Sequence, residues 1–226
     1  MQRVLMLLVS VLVMTWTASA VADSPNLKGA YGFTGTAASL VAPGSASTKP
    51  SPPAALMNSG FDGNLHPNDF STAFSHSNAV EGVRTFNGDG NGTVVGTAVG
   101  ITPRPTPGPS GYPSFPPGAG SSKFKYDFTY TVNGDGSWTA TMKPGSYQET
   151  FVAGPRTGQT AAIDTLPPVS GLISQDGKTL ILVVDPLTAD GTALVPAVET
   201  VTYSNGDVFP QICHRSRVLI SLPNGY

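Results

Sequence analysis

The fold class of this chain is decided by residues 126–143, YDFTYTVNGDGSWTATMK. On both sides of the glycine-rich centre, apolar and polar side chains alternate, which is the period-two pattern of a half-buried β-strand. For both apolar sets to face one core, Val132 must lie opposite Trp138. This register leaves Gly134-Asp135-Gly136 as the loop, with Gly136 in the left-handed conformation of a G1 bulge. The stretch therefore predicts a β-hairpin.

Three further hairpins are predicted by alternating segments that flank turn sequences. They join residues 79–86 to 92–101, residues 169–174 to 178–184, and residues 198–203 to 208–220. In the second of these hairpins the expected register places Leu172 opposite Leu180. In the third, a two-residue Asn205-Gly206 turn places Val201 opposite Pro210. The remaining strand candidates are residues 28–39, 147–153 and 159–163.

Successive hairpins without an amphipathic helix predict an all-β protein. We expect a single antiparallel up-and-down β-barrel of about 8–10 strands, because closing the sheet removes its exposed edges. A β-sandwich built from the same strands is the alternative. Closure of the barrel requires residues 28–39 to pair with residues 208–220, which would bring Ala38 or Ser39 close to Cys213.

The first 22 residues have the features of a signal peptide. Arg3 supplies a positive charge, residues 4–13 are apolar, and Ala20-Val21-Ala22 is a small-residue cleavage site. We therefore expect an exported protein, periplasmic or extracellular, with no transmembrane segment in the mature chain. Residues 23–226 are expected to form one barrel domain. Irregular insertions, rich in proline and small residues, are expected at residues 41–77 and 102–122.

Composition narrows the classes of partner. Without the signal peptide, and therefore without Arg3, 11 basic residues face 14 acidic ones, which gives a net charge of −3. This balance argues against nucleic acid as a partner, because nucleic acid requires a basic surface. Cys213 is the only cysteine of the chain, so no internal disulfide can form.

The sequence predicts no cofactor and no metal site. Asn87-x-Asp89-x-Asn91 has the spacing of the first half of a calcium loop, but Ala98 stands where the loop needs an acidic residue. We therefore interpret this segment as a plain turn. The three histidines and the single cysteine match no hydrolase, protease or zinc motif.

The order of the turns resembles that of small exported bacterial β-barrel proteins, which are described as lipocalin-like or calycin-like. The shared features are Gly29-x-Tyr31-x-Phe33 near the start, the turns GDGNGT (88–93) and NGDGSWT (133–139), and DGKTL (176–180) before a closing apolar strand. The resemblance implies a barrel and assigns no catalytic residue.

Three classes of function remain open. The leading one is a non-enzymatic exported protein that binds a small apolar ligand or has a structural or surface role. The first alternative is an acid–base enzyme of the cyclase or isomerase type, with its chemistry inside the barrel. The second is an adhesin or matrix component that acts through its loops. Enzymatic activity is therefore uncertain and less favoured than its absence.

The candidate site lies on the inner face of the last hairpin. In the expected two-residue register, Glu199 and His214 point inward as diagonal neighbours, whereas Cys213, Arg215 and Arg217 point outward. A carboxylate beside a buried imidazole can anchor a ligand or transfer a proton. The candidate ligand-binding residues are Glu199, His214, Tyr203, Tyr130 and Trp138.

Overall fold

The structure is a computed structural model. It describes residues 27–42, 60–62, 64–68, 70, 72–103, 117–164, 166–184 and 198–223. The predicted signal peptide and most of the two predicted insertions lie outside these ranges. Within them the chain is all-β, with eleven strands, and none of the described segments is a helix that could cross a membrane.

The strands differ in length, and five of them are much longer than the other six. The long strands are β1 (Lys28–Val41), β2 (Phe74–Asn87), β3 (Asn91–Thr102), β4 (Gly118–Val132) and β11 (Val208–Ser221). The short strands are β5 (Ser137–Met142), β6 (Gln148–Ala153), β7 (Thr160–Ile163), β8 (Val169–Ile173), β9 (Thr179–Val184) and β10 (Glu199–Tyr203).

The antiparallel sheet closes into a barrel-like ring of eight strands, β1-β2-β3-β4-β5-β8-β9-β11, because β11 also pairs with β1. A second circuit replaces β5, β8 and β9 with β6, β7 and β10. The replacement is possible because β4 and β11 each pair with one short strand near one end and with another near the other end. Five long strands therefore span the ring, and three short strands complete each end.

The two ends of the ring differ in content. We call the end completed by β5, β8 and β9 the packed half, and the end completed by β6, β7 and β10 the cavity half. Aromatic and aliphatic side chains fill the packed half: Phe86, Phe128, Trp138, Leu180, Leu182 and Leu219 are all buried there. The ring of Phe86 lies edge-on against Phe128 at 5.4 Å and against Trp138 at 5.8 Å between centroids.

The central hairpin has the predicted geometry. Val132 pairs with Trp138, and Gly136 has a φ of +80°, the left-handed conformation that the loop requires. The predicted closure is also confirmed, since Ser39 pairs with Cys213 across β1 and β11. The predicted ends of both insertions are wrong: β2 begins at Phe74 and β4 begins at Gly118, so residues 74–77 and 118–122 belong to strands.

The register predicted for the last hairpin is wrong by one residue. Val201 pairs with Phe209 instead of Pro210, because the loop has three residues, Ser204-Asn205-Gly206, and Gly206 adopts a φ of +88°. Since side chains alternate along a strand, a shift of one residue exchanges the two faces of β11. Cys213, Arg215 and Arg217 therefore point inward, and His214 points outward.

A second register error affects the hairpin of β8 and β9. Ile173, and not Leu172, pairs with Leu180. The amide of Ser174 donates a hydrogen bond to the carbonyl oxygen of Thr179. The loop between these two residues therefore has four residues, and this length sets the observed register. Leu172 consequently points outward, with 55% of its surface exposed.

Candidate functional site

A cavity of about 150 Å³ occupies the cavity half. Its walls carry six aromatic side chains: Phe124, Tyr126, Tyr147, Phe151, Tyr203 and Phe209. Exposed residues, among them Gly118, Ala119 and Pro155, line its outer end. Among the described residues, the cavity therefore extends from the middle of the ring to its surface.

The cavity exists because small side chains point inward on two long strands. Ala98 and Gly100 on β3 and Ala37 on β1 line it. A Cβ atom on Gly100 would lie 2.8 Å from the His76 ring, so glycine at this position leaves room for the imidazole. In the packed half, by contrast, bulky side chains of β4 and β5 cross the interior. The inward sequence of β3 therefore leaves the space open.

One wall of the cavity is a stack of three rings. Phe124, Tyr126 and Tyr147 lie nearly parallel, with centroid separations between 6.0 and 6.5 Å. Such a surface presents flat apolar faces, which suit an aromatic or aliphatic body. The phenol groups of the two tyrosines add polar atoms to an otherwise apolar wall.

A buried ion pair joins β10 to β11 next to the cavity. Glu199 is fully buried, and Arg215 donates to both of its carboxylate oxygens, with Nη2 at 2.6 Å from Oε2. Gln211 Nε2 donates to the same Oε2 at 3.0 Å. Because three donors satisfy the Glu199 carboxylate, it is an internal structural anion and is not exposed to a ligand.

A second carboxyl group, that of Glu149 on β6, lies on the cavity wall. It accepts hydrogen bonds from Ser122 Oγ at 2.5 Å and from the Tyr147 hydroxyl at 3.0 Å. Burial raises the pKa of Glu149, and these two hydrogen bonds offset the effect only in part. Glu149 is therefore an acid whose proton is held more tightly than usual.

At the inner end of the cavity, the Tyr126 phenol lies between two arginines. Arg84 Nη2 donates to the phenol oxygen at 2.9 Å, and Arg84 itself is buried with its guanidinium 4.6 Å from the Phe128 ring centroid. Burial alone would raise the pKa of Tyr126, but the charges of Arg84 and Arg217, together with a hydrogen bond from the Arg217 side chain, outweigh burial and lower it. Arg217 lines the cavity directly.

The cysteine and one histidine also face the cavity. Cys213 is buried, its Sγ contacts Ser39 Oγ, and burial raises the pKa of the thiol to about 11. Burial lowers the pKa of His76, whose Nδ1 lies 3.0 Å from Thr102 Oγ1. Both groups are therefore uncharged near neutral pH.

The structure brings together only some of the predicted site residues. Glu199 points inward as predicted, and Tyr203 lines the cavity. The predicted inward position of His214 is wrong, because the register shift turns it to the exposed outer face. Tyr130 and Trp138 lie in the packed half, where their polar hydrogens bond the backbone oxygens of Leu27 and Ile181.

The Asn87 turn uses its polar side chains locally. Asn87 Oδ1 accepts from the amides of Asp89 and Asn91, both at 3.1 Å, and Asp89 Oδ1 accepts from the Asn91 amide at 3.0 Å. These oxygens stabilise the turn, as the interpretation of the sequence expects. Among the described residues, no group of three or more histidine, cysteine or acidic side chains could hold a metal ion.

Sequence reasoning missed the interior arginines and Glu149. Alternation in the segment HRSRV (214–218) does show that Arg215 and Arg217 share one face of the strand. The length of the preceding loop decides whether that face points inward or outward.

No family model, curated protein or solved structure matches this chain.

Proposed function

We propose that this protein binds a small, largely apolar molecule in the cavity half. The observation that supports this proposal is the unequal filling of the ring: large side chains fill one half, whereas the other half keeps an open space of about 150 Å³ with aromatic walls. Protein interiors are normally close-packed. An aromatic cavity that reaches the surface is the usual form of a small-molecule site.

The size of the cavity limits the ligand. A cavity of similar volume lined by apolar side chains is known to hold benzene, so one ring or a short chain is the appropriate scale. Within the proposal we retain the exported, non-enzymatic and lipocalin-like character that the sequence suggests. The signal-peptide pattern of the first 22 residues supports export, and the order of the turn sequences is the basis of the lipocalin-like resemblance.

A pair of neighbouring alanines tests the proposal. Ala37 is buried and lines the cavity, whereas Ala38 is exposed on the outer face of the same strand. In Ala37→Leu, added carbon atoms occupy the ligand space, so we expect the affinity for ethylbenzene to fall by about tenfold or more. The matched control Ala38→Leu should leave the affinity unchanged. Isothermal titration calorimetry measures both.

Two outcomes would contradict the proposal. One is the failure of the parent protein to bind ethylbenzene, toluene and indole. The other is an equal loss of affinity in Ala37→Leu and Ala38→Leu, which would place the binding outside the cavity.

Glu149 favours a second candidate function, an acid–base enzyme with its chemistry inside the ring. A carboxyl group with a raised pKa on a cavity wall is a common feature of general acids. It already accepts hydrogen bonds from Ser122 and Tyr147. These contacts also suit a purely structural role, and for this reason binding remains the first proposal.

The ionisation of Glu149 can be tested through stability. Because its pKa in the folded protein lies above the ordinary 4.5, the folded state binds this proton more tightly than the unfolded state. The resulting stability is present below pH 4.5 and is lost as the pH rises through the raised pKa. The free energy of unfolding of Glu149→Gln minus that of the parent should therefore be more positive at about pH 8 than at about pH 4. The variant is thus stabilised relative to the parent at the higher pH. Urea unfolding at both pH values measures this difference, and a difference independent of pH would refute the raised pKa.

A further inference from the structure

Two of the three arginines that point inward from the described strands have no carboxylate partner. Arg215 is paired with Glu199, but Arg84 and Arg217 form no ion pair with any described residue. Glu149, the other inward acid of the described strands, is engaged by Ser122 and Tyr147. The inner end of the cavity therefore has an excess of positive charge. Burying a cation without a counter-charge is unfavourable, so an anion at this place would stabilise the protein.

Hydrogen-bond donors without acceptors lie at the same place. Arg217 Nε is buried and has no hydrogen-bond partner among the described residues. The Tyr126 oxygen accepts from Arg84 and from the Arg217 side chain, which leaves its own hydrogen free to donate, and no described residue accepts that hydrogen. An unsatisfied buried donor costs free energy. Arg217 Nε and the hydroxyl hydrogen of Tyr126 therefore both lack an acceptor.

The surrounding residues hold this arrangement in place. Arg217 and Tyr126 both line the cavity, and the Arg217 guanidinium lies 5.3 Å from the Phe33 ring centroid. Gly35 lies opposite Arg217 on the neighbouring strand. A Cβ atom at Gly35 would lie 2.7 Å from Arg217 Cγ, so glycine leaves the space that the arginine side chain occupies.

We propose that Arg217 and Tyr126 form an anion site at the inner end of the cavity, which holds the carboxylate of a small acid with an apolar body. Arginine presents N–H groups in a planar fork that matches a carboxylate, and the Tyr126 hydroxyl adds a further donor. Arg84 does not reach the ligand and acts by orienting the phenol. This inference rests on the proposed function, because the same cavity holds the apolar body.

The walls and the size of the cavity select the rest of the ligand. The stacked rings of Phe124 and Tyr147 adjoin Tyr126, so an aromatic or short aliphatic group bound to the carboxylate would lie against them. A volume of about 150 Å³ admits a single ring with a short acidic side chain. The predicted class of ligand is therefore a monocarboxylic acid such as an arylacetic acid.

The test compares phenylacetate with phenylacetamide, which has nearly the same shape without the charge. Isothermal titration calorimetry of the mature chain at neutral pH should give an affinity for phenylacetate about tenfold or more above that for phenylacetamide, because charge-assisted hydrogen bonds are the stronger ones. Arg217→Met should remove this preference, because it lowers the affinity for phenylacetate much more than the affinity for phenylacetamide. Lys125→Met, which removes the same charge from the outer face of β4, should keep it.

The outcomes separate the two proposals. Equal affinities for acid and amide would overturn the anion site and leave apolar binding intact, whereas binding of neither probe would overturn both. A preference that survives Arg217→Met would also overturn the anion site. If Arg217→Met does not fold, the Arg217 Nε–H resonance of the parent protein decides: it should shift with phenylacetate and not with phenylacetamide, and an unshifted resonance would overturn the site.

Discussion

Glu199→Gln is expected to lower the free energy of unfolding by about 3–5 kcal/mol. Glutamine keeps the shape of the side chain but removes the charge that Arg215 faces inside the protein, where Glu199 is fully buried. The loss is large because the Arg215 cation then remains buried without a counter-charge. Urea unfolding followed by circular dichroism at neutral pH measures the change.

Two controls identify the cause. In Glu199→Met combined with Arg215→Met both charges are absent, so much of the lost stability should return. Asp62→Asn breaks an exposed contact with His66 and should change stability by less than about 0.5 kcal/mol. A loss below about 1 kcal/mol for Glu199→Gln would show that the buried pair does not determine stability.

Local sequence patterns were sufficient for the fold class and for the central hairpin. The alternation around Gly136 fixes both the apolar face and the loop length, because only one register places Val132 opposite Trp138. Closure of the sheet followed from the need to protect its edges, and the pairing of Ser39 with Cys213 confirms it. These features depend on short-range chemistry or on a single topological requirement.

The candidate site was harder to predict because it depends on one residue of loop length. The Asn205-Gly206 pair favours a two-residue turn, but the loop also includes Ser204. That single residue exchanges the faces of β11, so it brings Arg215 and Arg217 inside and moves His214 outside. The packing of the ring decides the register, since Phe209 is then buried.

The two halves of the ring differ in how completely their aromatic side chains fill the interior. Side chains in the packed half fill the space between them, as in the contacts of Phe86 with the rings of Phe128 and Trp138. In the cavity half, Tyr126 and Arg217 have donors that nothing in the described part of the chain accepts. Truncation of an aromatic side chain should therefore lower stability more in the packed half and ligand affinity more in the cavity half.

Two phenylalanines test this difference between the halves. Phe128 is 1% exposed and packs against Phe86 and Arg84, so Phe128→Ala should cost about 3–5 kcal/mol of unfolding free energy. Phe151 is half-buried and lines the cavity, so Phe151→Ala enlarges a space that already exists and should cost less than about 2 kcal/mol. Urea unfolding of both variants, with calorimetric titration of ethylbenzene into each, provides the comparison.

Ligand binding should follow the opposite order. Phe151→Ala removes part of the cavity wall and should weaken ethylbenzene binding, whereas Phe128→Ala, measured where it remains folded, should retain it. Both variants remove the same atoms from an aromatic side chain, so the difference between them reports the environment and not the chemistry of the substitution. Equal losses of stability in the two variants would contradict this difference between the halves, because they would mean that the cavity half is packed as densely as the packed half.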